Sequence, residues 1–135
     1  MPIKPENKGR YPKNWKQISK MKRYLAGNRC EVCGILNYTI IKRMPYGMYR
    51  LPSVQEWDMI NSRIRNCHSN LTESLKYYGF TRVVLTVGHL DHTPENNDPS
   101  NLKAMCQFCH NRHDVKHRVE TRRKKYIGKN QIEMF

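Results

Sequence analysis

The sequence predicts a small α+β fold, and three observations support this prediction. Apolar residues recur at helical spacing in some segments, β-branched residues gather in others, and two Cys-x-x-Cys pairs lie far apart in the 135-residue chain. A chain of this length can bury one modest core, so a single domain is predicted over all 135 residues. Its predicted parts are a basic N-terminal helix (1–29), two cysteine-containing turns (30–34 and 106–110), an insertion (35–79), a core (80–125) and a tail (126–135).

The first helix is predicted to begin at Trp15 and to end at Ala26. Asn14 and Gln17 have the three-residue spacing of a capping box, which satisfies free N–H groups at a helix start. Apolar residues then recur every three or four positions as far as Gly27, a residue type that commonly ends helices. This helix leads directly into the first cysteine pair.

The middle of the chain is predicted to form a hairpin followed by two helices. β-branched residues at 39–41 precede a Pro-Tyr-Gly turn, a pattern typical of a β-hairpin. Ser53 and Glu56 form a second capping-box pattern ahead of a helix, and a weaker helical pattern covers 71–78.

The last third of the chain is predicted to contain a strand, a polar loop and a long helix. The segment FTRVVLTVGHL (80–90) is rich in β-branched residues and is predicted to be one strand. The segment 109–126 contains neither glycine nor proline and is predicted to be helical. The residues after it, IGKNQIEMF, are predicted to form a frayed tail.

The charge of the chain favours a polyanionic partner. Lys and Arg total 25 against 11 Asp and Glu, which gives a formal net charge of +14. Nucleic acid is the first candidate and an acidic membrane the second. A membrane protein is disfavoured because no apolar run approaches the roughly 20 residues that span a bilayer. The N-terminus also lacks the apolar region of a signal peptide, so a cytoplasmic location is expected.

The cysteines predict a structural zinc site. In a reducing compartment, paired cysteines suggest metal binding before disulfides, and four thiolates from two tight turns can form a tetrahedral zinc site. Such a closed site leaves no coordination position for water or substrate. Two unrelated reduced pairs, or a redox motif, are the alternatives. No role is assigned to Cys67. The predicted zinc ligands are Cys30, Cys33, Cys106 and Cys109.

A strand ending in His89, a polar loop, Asn101-Leu102 and then Cys-x-x-Cys-His entering a helix together resemble the HNH nucleases. The resemblance is to the phage and prophage type of bacterial HNH protein. Their pattern YPK-W…GNRCE-CG is matched from Tyr11 to Gly34, and LTV-HLDH-P-NND--NL--LC--CH-RHD from Leu85 to Asp114. The two blocks cover about half of the chain. They imply a small ββα-metal (HNH) core stapled by the four-cysteine site, with an N-terminal helix and an inserted hairpin-helix region.

The resemblance also implies a role for individual residues. His89 resembles the general base that takes a proton from water attacking the phosphate. Asn101 resembles the residue that braces the loop and orients that imidazole by hydrogen bonding. His110 resembles a ligand of the catalytic divalent metal, and Asp114 occupies the position of a second helix ligand in some relatives. Residues four apart do lie on one helix face.

One position departs from the family pattern. Most relatives carry a metal-binding Asp or His directly before the base, and here that residue is Gly88. Asp91 and His92 are close enough in sequence to replace the missing ligand. In a rival register Asp91 is the ligand and His92 is the base. His89 is preferred because it keeps the family spacing to Asn101 and His110.

The expected activity is metal-dependent hydrolysis of phosphodiester bonds in DNA by an HNH endonuclease. A neutral imidazole can activate water near pH 7, and one metal ion, Mg, Mn, Ni or Zn, can stabilise charge on the phosphate. A monomer or a homodimer is expected. The alternatives are a non-catalytic zinc module that binds nucleic acid and a nuclease that cuts RNA. The expected nucleic-acid-binding residues are Arg112, His113, Lys116, Arg118, Arg122 and Arg123.

Overall fold

The computed structural model describes the backbone of residues 3–133 and the side chains of residues 3–128. It confirms a mixed helix and sheet architecture. The elements in chain order are α1 (Trp15–Leu25), β1 (Ile40–Arg43), β2 (Tyr49–Arg50), α2 (Val54–Asn66), α3 (Leu71–Tyr77), β3 (Thr81–Arg82), β4 (Thr86–His89), β5 (Leu102–Met105) and α4 (Gln107–Glu133).

The chain divides into two compact units. The first combines the chain up to Gly34 with the chain from Leu85 onward, and the second is Ile35–Val84. The predicted insertion, 35–79, lies within the second unit. Every residue assigned a site role from the sequence belongs to the first.

The first unit is built on an antiparallel hairpin between α1 and α4. β4 pairs with β5 so that Val87 lies opposite Ala104 and His89 opposite Leu102. Apolar residues of α1 cover one face of this hairpin, where Trp15 packs on the buried cluster of the two strands. Burial of this apolar surface fixes α1 on the hairpin.

The helix α1 begins at Trp15 as predicted, but its N-terminal cap differs from the prediction. The predicted capping box at Asn14 and Gln17 does not form, because among the described residues the Asn14 side chain makes no capping bond. The carbonyl of Asn14 instead accepts the N–H groups of Gln17 and Ile18, at 3.0 and 3.1 Å. The end was predicted well, since Gly27 adopts a φ of +69° just after the helix.

The second unit contains the three-stranded antiparallel sheet β2-β1-β3 and the helices α2 and α3. Ile60, Leu75 and Phe80 form a buried cluster in this unit. The predicted capping box at Ser53 and Glu56 is confirmed: the Ser53 hydroxyl accepts the Glu56 N–H, and the Glu56 carboxylate accepts the Ser53 N–H.

The single strand predicted over 80–90 is wrong. It is two strands, β3 and β4, which pair in different sheets. Val83 hydrogen bonds with the backbone of the second unit at Tyr38 and Thr39, while Thr86 pairs with Met105 in the first. β-branched residues favour strands, but their local pattern carries no information about which strand is the partner.

The predicted frayed tail is also corrected, because α4 continues to Glu133. A single Gly in a helix costs only about 1 kcal/mol relative to Ala, so Gly128 does not interrupt the helix. Met134 and Phe135 lie outside the described residues. Of the helices described, none combines the length and the apolar character that crossing a bilayer requires.

Candidate functional site

The four predicted zinc ligands come together beside the hairpin. Their sulfur atoms all lie within 4.8 Å of one another. The Cys33 and Cys106 sulfurs are 3.7 Å apart, far beyond the roughly 2 Å of a disulfide bond. Zinc–sulfur bonds of about 2.3 Å in a tetrahedron place sulfurs about 3.8 Å apart. The four cysteines therefore could bind a metal such as zinc.

Burial and local backbone groups shape the chemistry of these thiols. Burial raises the pKa of Cys30, but backbone N–H groups, led by that of Cys33, outweigh it and lower the pKa to about 7. Burial and then the neighbouring Cys106 raise the pKa of Cys109. N–H groups directed at sulfur favour thiolate, the form that binds metal.

His89 lies at the end of β4 and is held from three sides. The residue is only 7% exposed, and its imidazole stacks on Trp15 with ring centres 4.9 Å apart and packs edge-on with Tyr11. Its Nε2 lies 2.9 Å from Oδ1 of Asn97. A carbonyl oxygen only accepts, so Nε2 carries the proton and Nδ1 has the lone pair in the neutral ring.

Asn101 braces the loop, but it does not make the predicted bond to the imidazole. Its Oδ1 accepts the N–H of Asp91, and its Nδ2 donates to the Asp91 carboxylate and to the carbonyl of Asn96. The imidazole bond comes from Asn97 instead. Asn97 also donates to the Glu95 carbonyl, which fixes the direction of its amide.

The Asp91 side chain hydrogen bonds within the same loop. Its carboxylate accepts from Asn96, Asn101 and the backbone of Thr93, and these bonds lower its pKa to about 2. The side chain is thus held as an anion inside the turn. Of the two residues predicted to replace the ligand missing at Gly88, the structure brings His92 rather than Asp91 beside Asp114.

His110 fills the space beside Gly88. A Cβ added to Gly88 lies 2.9 Å from the His110 Nε2, closer than ordinary carbon contacts allow. The Nδ1 of His110 is 2.7 Å from the Thr86 hydroxyl, and its Nε2 is 3.2 Å from an oxygen of Asp114. Burial lowers the pKa of His110, so the neutral imidazole is favoured.

His92 lies beside the other oxygen of Asp114 and stacks on two further histidines. His92 Nδ1 lies 3.4 Å from Asp114 Oδ1. The His92 ring stacks on His117 at 4.1 Å and on His113 at 5.1 Å. One ligand atom each from His92, His113 and Asp114 lie within 4.8 Å of one another. Burial lowers the pKa of His92.

A cleft of about 310 Å³ joins these groups. His89, His110 and Asp114 line it together, although they come from a strand and a helix. Basic side chains of Lys4 and Arg118 also line the cleft, as does Arg10, which forms an ion pair with Glu95 at 2.6 Å. The cleft therefore combines positive charge with side chains of types that can bind a metal.

The remaining predicted nucleic-acid-binding residues lie along α4. Arg118 lines the cleft and donates to the Asn111 carbonyl. The others are exposed on the same helix: Arg112, His113, Lys116, Arg122 and Arg123.

Several contributors to the site were not predicted from the sequence. His113 was predicted to bind nucleic acid and His117 was assigned no site role, yet both stack on His92. Their four-residue spacing on α4 was a usable signal, because such residues share a helix face. Asn97 and Trp15, which hold His89, carry no local signal of that role.

Comparison of the chain with protein-family models, with curated proteins and with solved structures gives no match in any of the three.

Proposed function

We propose that the protein is a metal-dependent HNH endonuclease that hydrolyses phosphodiester bonds in DNA. The observation that carries this proposal is the convergence of His89, His110 and Asp114 in one basic cleft. The antiparallel pair β4–β5 followed by α4, with the cysteine cluster at their junction, has the element order of a ββα-metal core. This order agrees with the resemblance of residues 85–114 to HNH nucleases.

His89 is proposed as the general base. The Asn97 bond leaves the lone pair on Nδ1, and stacking on Trp15 holds the ring. A fixed neutral imidazole can accept a proton from water as that water attacks phosphorus. The 3′ oxygen of the broken bond leaves and is protonated from solvent.

His110 and Asp114 are proposed to hold the catalytic ion. Imidazole nitrogen and carboxylate oxygen suit divalent metals such as Mg, Mn, Ni or Zn. When bound, such an ion supplies Lewis-acid stabilisation of negative charge on the phosphate. The Thr86 hydroxyl, 2.7 Å from His110 Nδ1, orients the imidazole.

Duplex DNA is the proposed substrate because positive charge extends beyond the cleft. Lys4, Arg10 and Arg118 surround the cleft, and exposed basic residues continue along α4. Contacts of this kind bind phosphates without reading sequence, and they weaken steeply as salt rises.

The decisive experiment is nicking of supercoiled plasmid by zinc-loaded protein with added Mg, Mn or Ni. We expect metal-dependent nicking that falls by at least about a hundredfold in His89→Ala, because general acid–base catalysis contributes 10²–10⁴-fold. His68→Asn is the matched control, since His68 is an exposed histidine of the second unit and Asn tolerates its φ of +51°. Equal nicking by His89→Ala and by the control defeats the proposal.

Gly88 favours one rival, a non-catalytic zinc module that binds nucleic acid, because it removes a side chain that metal-binding relatives carry. Plasmid binding without nicking under every metal supports that rival. Faster cleavage of labelled RNA than of duplex DNA supports the RNA-cutting alternative.

A further inference from the structure

We propose that the ion of this cleft is a late first-row transition metal, and that His92 and His113 bind it together with Asp114 and the neighbouring His110. The role of the ion in hydrolysis rests on the proposed function, whereas its binding is a separate property of these side chains. Neither the family resemblance nor helix spacing assigns His113 to the metal.

The ligand atoms are already close to coordination distances. Bonds of about 2.0–2.1 Å to a single ion place two ligand atoms roughly 3.3 Å apart. His92 Nδ1 and Asp114 Oδ1 are 3.4 Å apart. One ligand atom from each of the three residues lies within 4.8 Å of the others, and His113 is exposed on the helix surface.

A backbone carbonyl fixes the tautomer of His113. Its Nε2 lies 3.1 Å from the carbonyl oxygen of Leu90, which can only accept. The proton is therefore on Nε2, and Nδ1 of the neutral ring carries the lone pair. A histidine that donates one ring N–H to a carbonyl while its other nitrogen binds metal is the usual arrangement in metal sites.

His92 is held in an unusual backbone conformation that presents its ring to this cluster. Its φ is +59°, a left-handed conformation that is unfavourable for residues other than glycine. Its ring stacks on His117 at 4.1 Å with an angle of 10° between the planes. We assign His117 a positioning role, in which it orients the His92 ring.

The composition of the ligand set selects the metal. A set of imidazoles with one carboxylate suits Zn, Ni, Co or Cu, whereas Mg²⁺ prefers oxygen ligands and retains its water. His92 also supplies the ligand that Gly88 cannot, from the loop rather than from the strand.

The test is calorimetric titration of the full chain, prepared with one zinc ion per chain, with NiCl₂ and, separately, with MgCl₂. We expect one Ni²⁺ per chain beyond the zinc, with Mg²⁺ bound at least about a hundredfold more weakly. His113→Gln should lower Ni²⁺ affinity by more than about tenfold. Even mutation of a residue that only hydrogen bonds to a metal ligand typically lowers metal affinity about 10–100-fold. Gln retains an N–H donor for the Leu90 carbonyl, so the fold is preserved. His92→Asn, which tolerates the positive φ, should have the same effect.

His68→Asn is again the control and should bind Ni²⁺ like the unaltered chain. His117→Gln should weaken binding less than His113→Gln does. The proposal is overturned if no Ni²⁺ binds beyond the zinc, if His113→Gln binds normally, or if His117→Gln loses as much affinity as His113→Gln. Thermal unfolding of each variant separates ligand loss from misfolding. Normal Ni²⁺ binding without any nicking refutes the nuclease and leaves this metal site standing.

Discussion

Gly88 faces the imidazole of His110 across the space between β4 and α4. The added-Cβ distances of 2.9 Å to His110 and 3.0 Å to the Met105 side chain show how little space is left there. The Thr86 hydroxyl on one side and Asp114 on the other hold the His110 ring. The absence of a side chain at Gly88 thus leaves the space that the His110 imidazole occupies.

Replacing Gly88 by Ala should displace the His110 imidazole. We expect nicking to fall by about a hundredfold, because a misplacement of about 1 Å in a catalytic geometry can cost that much. The nuclear magnetic resonance signals of the His110 ring should shift as its bond to Thr86 changes. Gly128→Ala is the matched control, since a Cβ there meets nothing within 4 Å. Unchanged His110 signals in Gly88→Ala would contradict the close packing described for this site.

At the scale of elements, two helices with similar start signals behave differently. Ser53 and Glu56 form both bonds of a capping box, and Glu56 also pairs with Arg50 at 2.6 Å. Asn14 has the same spacing to Gln17, but its side chain makes no such bond among the described residues. Local spacing predicted both helices, and only the structure distinguishes their caps.

Ser53→Ala should therefore cost more stability than Asn14→Ala. Loss of a formed N-cap bond costs about 1 kcal/mol, while Asn14 has no equivalent bond to lose. Urea unfolding followed by circular dichroism measures both free energies of unfolding. Equal losses in the two variants would show that the Ser53 bond contributes nothing beyond local propensity.

At the scale of the molecule, the cysteine cluster joins segments distant in sequence. Cys33 and Cys106, 73 positions apart, bring the end of the N-terminal segment to the start of α4. Structural zinc binding in small domains is worth about 10–16 kcal/mol, as much as the whole stability of a typical domain, about 5–15 kcal/mol. The first unit is expected to depend for its fold on a metal bound by these cysteines.

Removal of the metal should accordingly unfold the first unit. A strong chelator, or Cys106→Ser, should lower the temperature of thermal unfolding and release the zinc measured by atomic emission. Cys67→Ser is the control, because Cys67 is exposed and belongs to the second unit. An unchanged unfolding temperature after complete loss of zinc would argue against a structural role.

The sequence by itself determined those features that depend on neighbours along the chain. Helical spacing and Gly27 indicated α1, the Ser53 capping box indicated the start of α2, and each Cys-x-x-Cys pair indicated two candidate metal ligands in one turn. Each depends on residues three or four positions apart, or on cysteines, which have few roles other than metal binding when they occur in such closely spaced pairs.

The tertiary structure alone decided what depends on segments far apart. Residues 80–90 belong to two different sheets, and His89 hydrogen bonds with Asn97 instead of Asn101. The structure also brings His92 close to His113 and Asp114. Strand pairing and ring contacts depend on which surfaces folding brings together. A local sequence pattern does not specify those partners. A long-range contact is fixed by the packing of the whole unit, so it can be identified only from the tertiary structure.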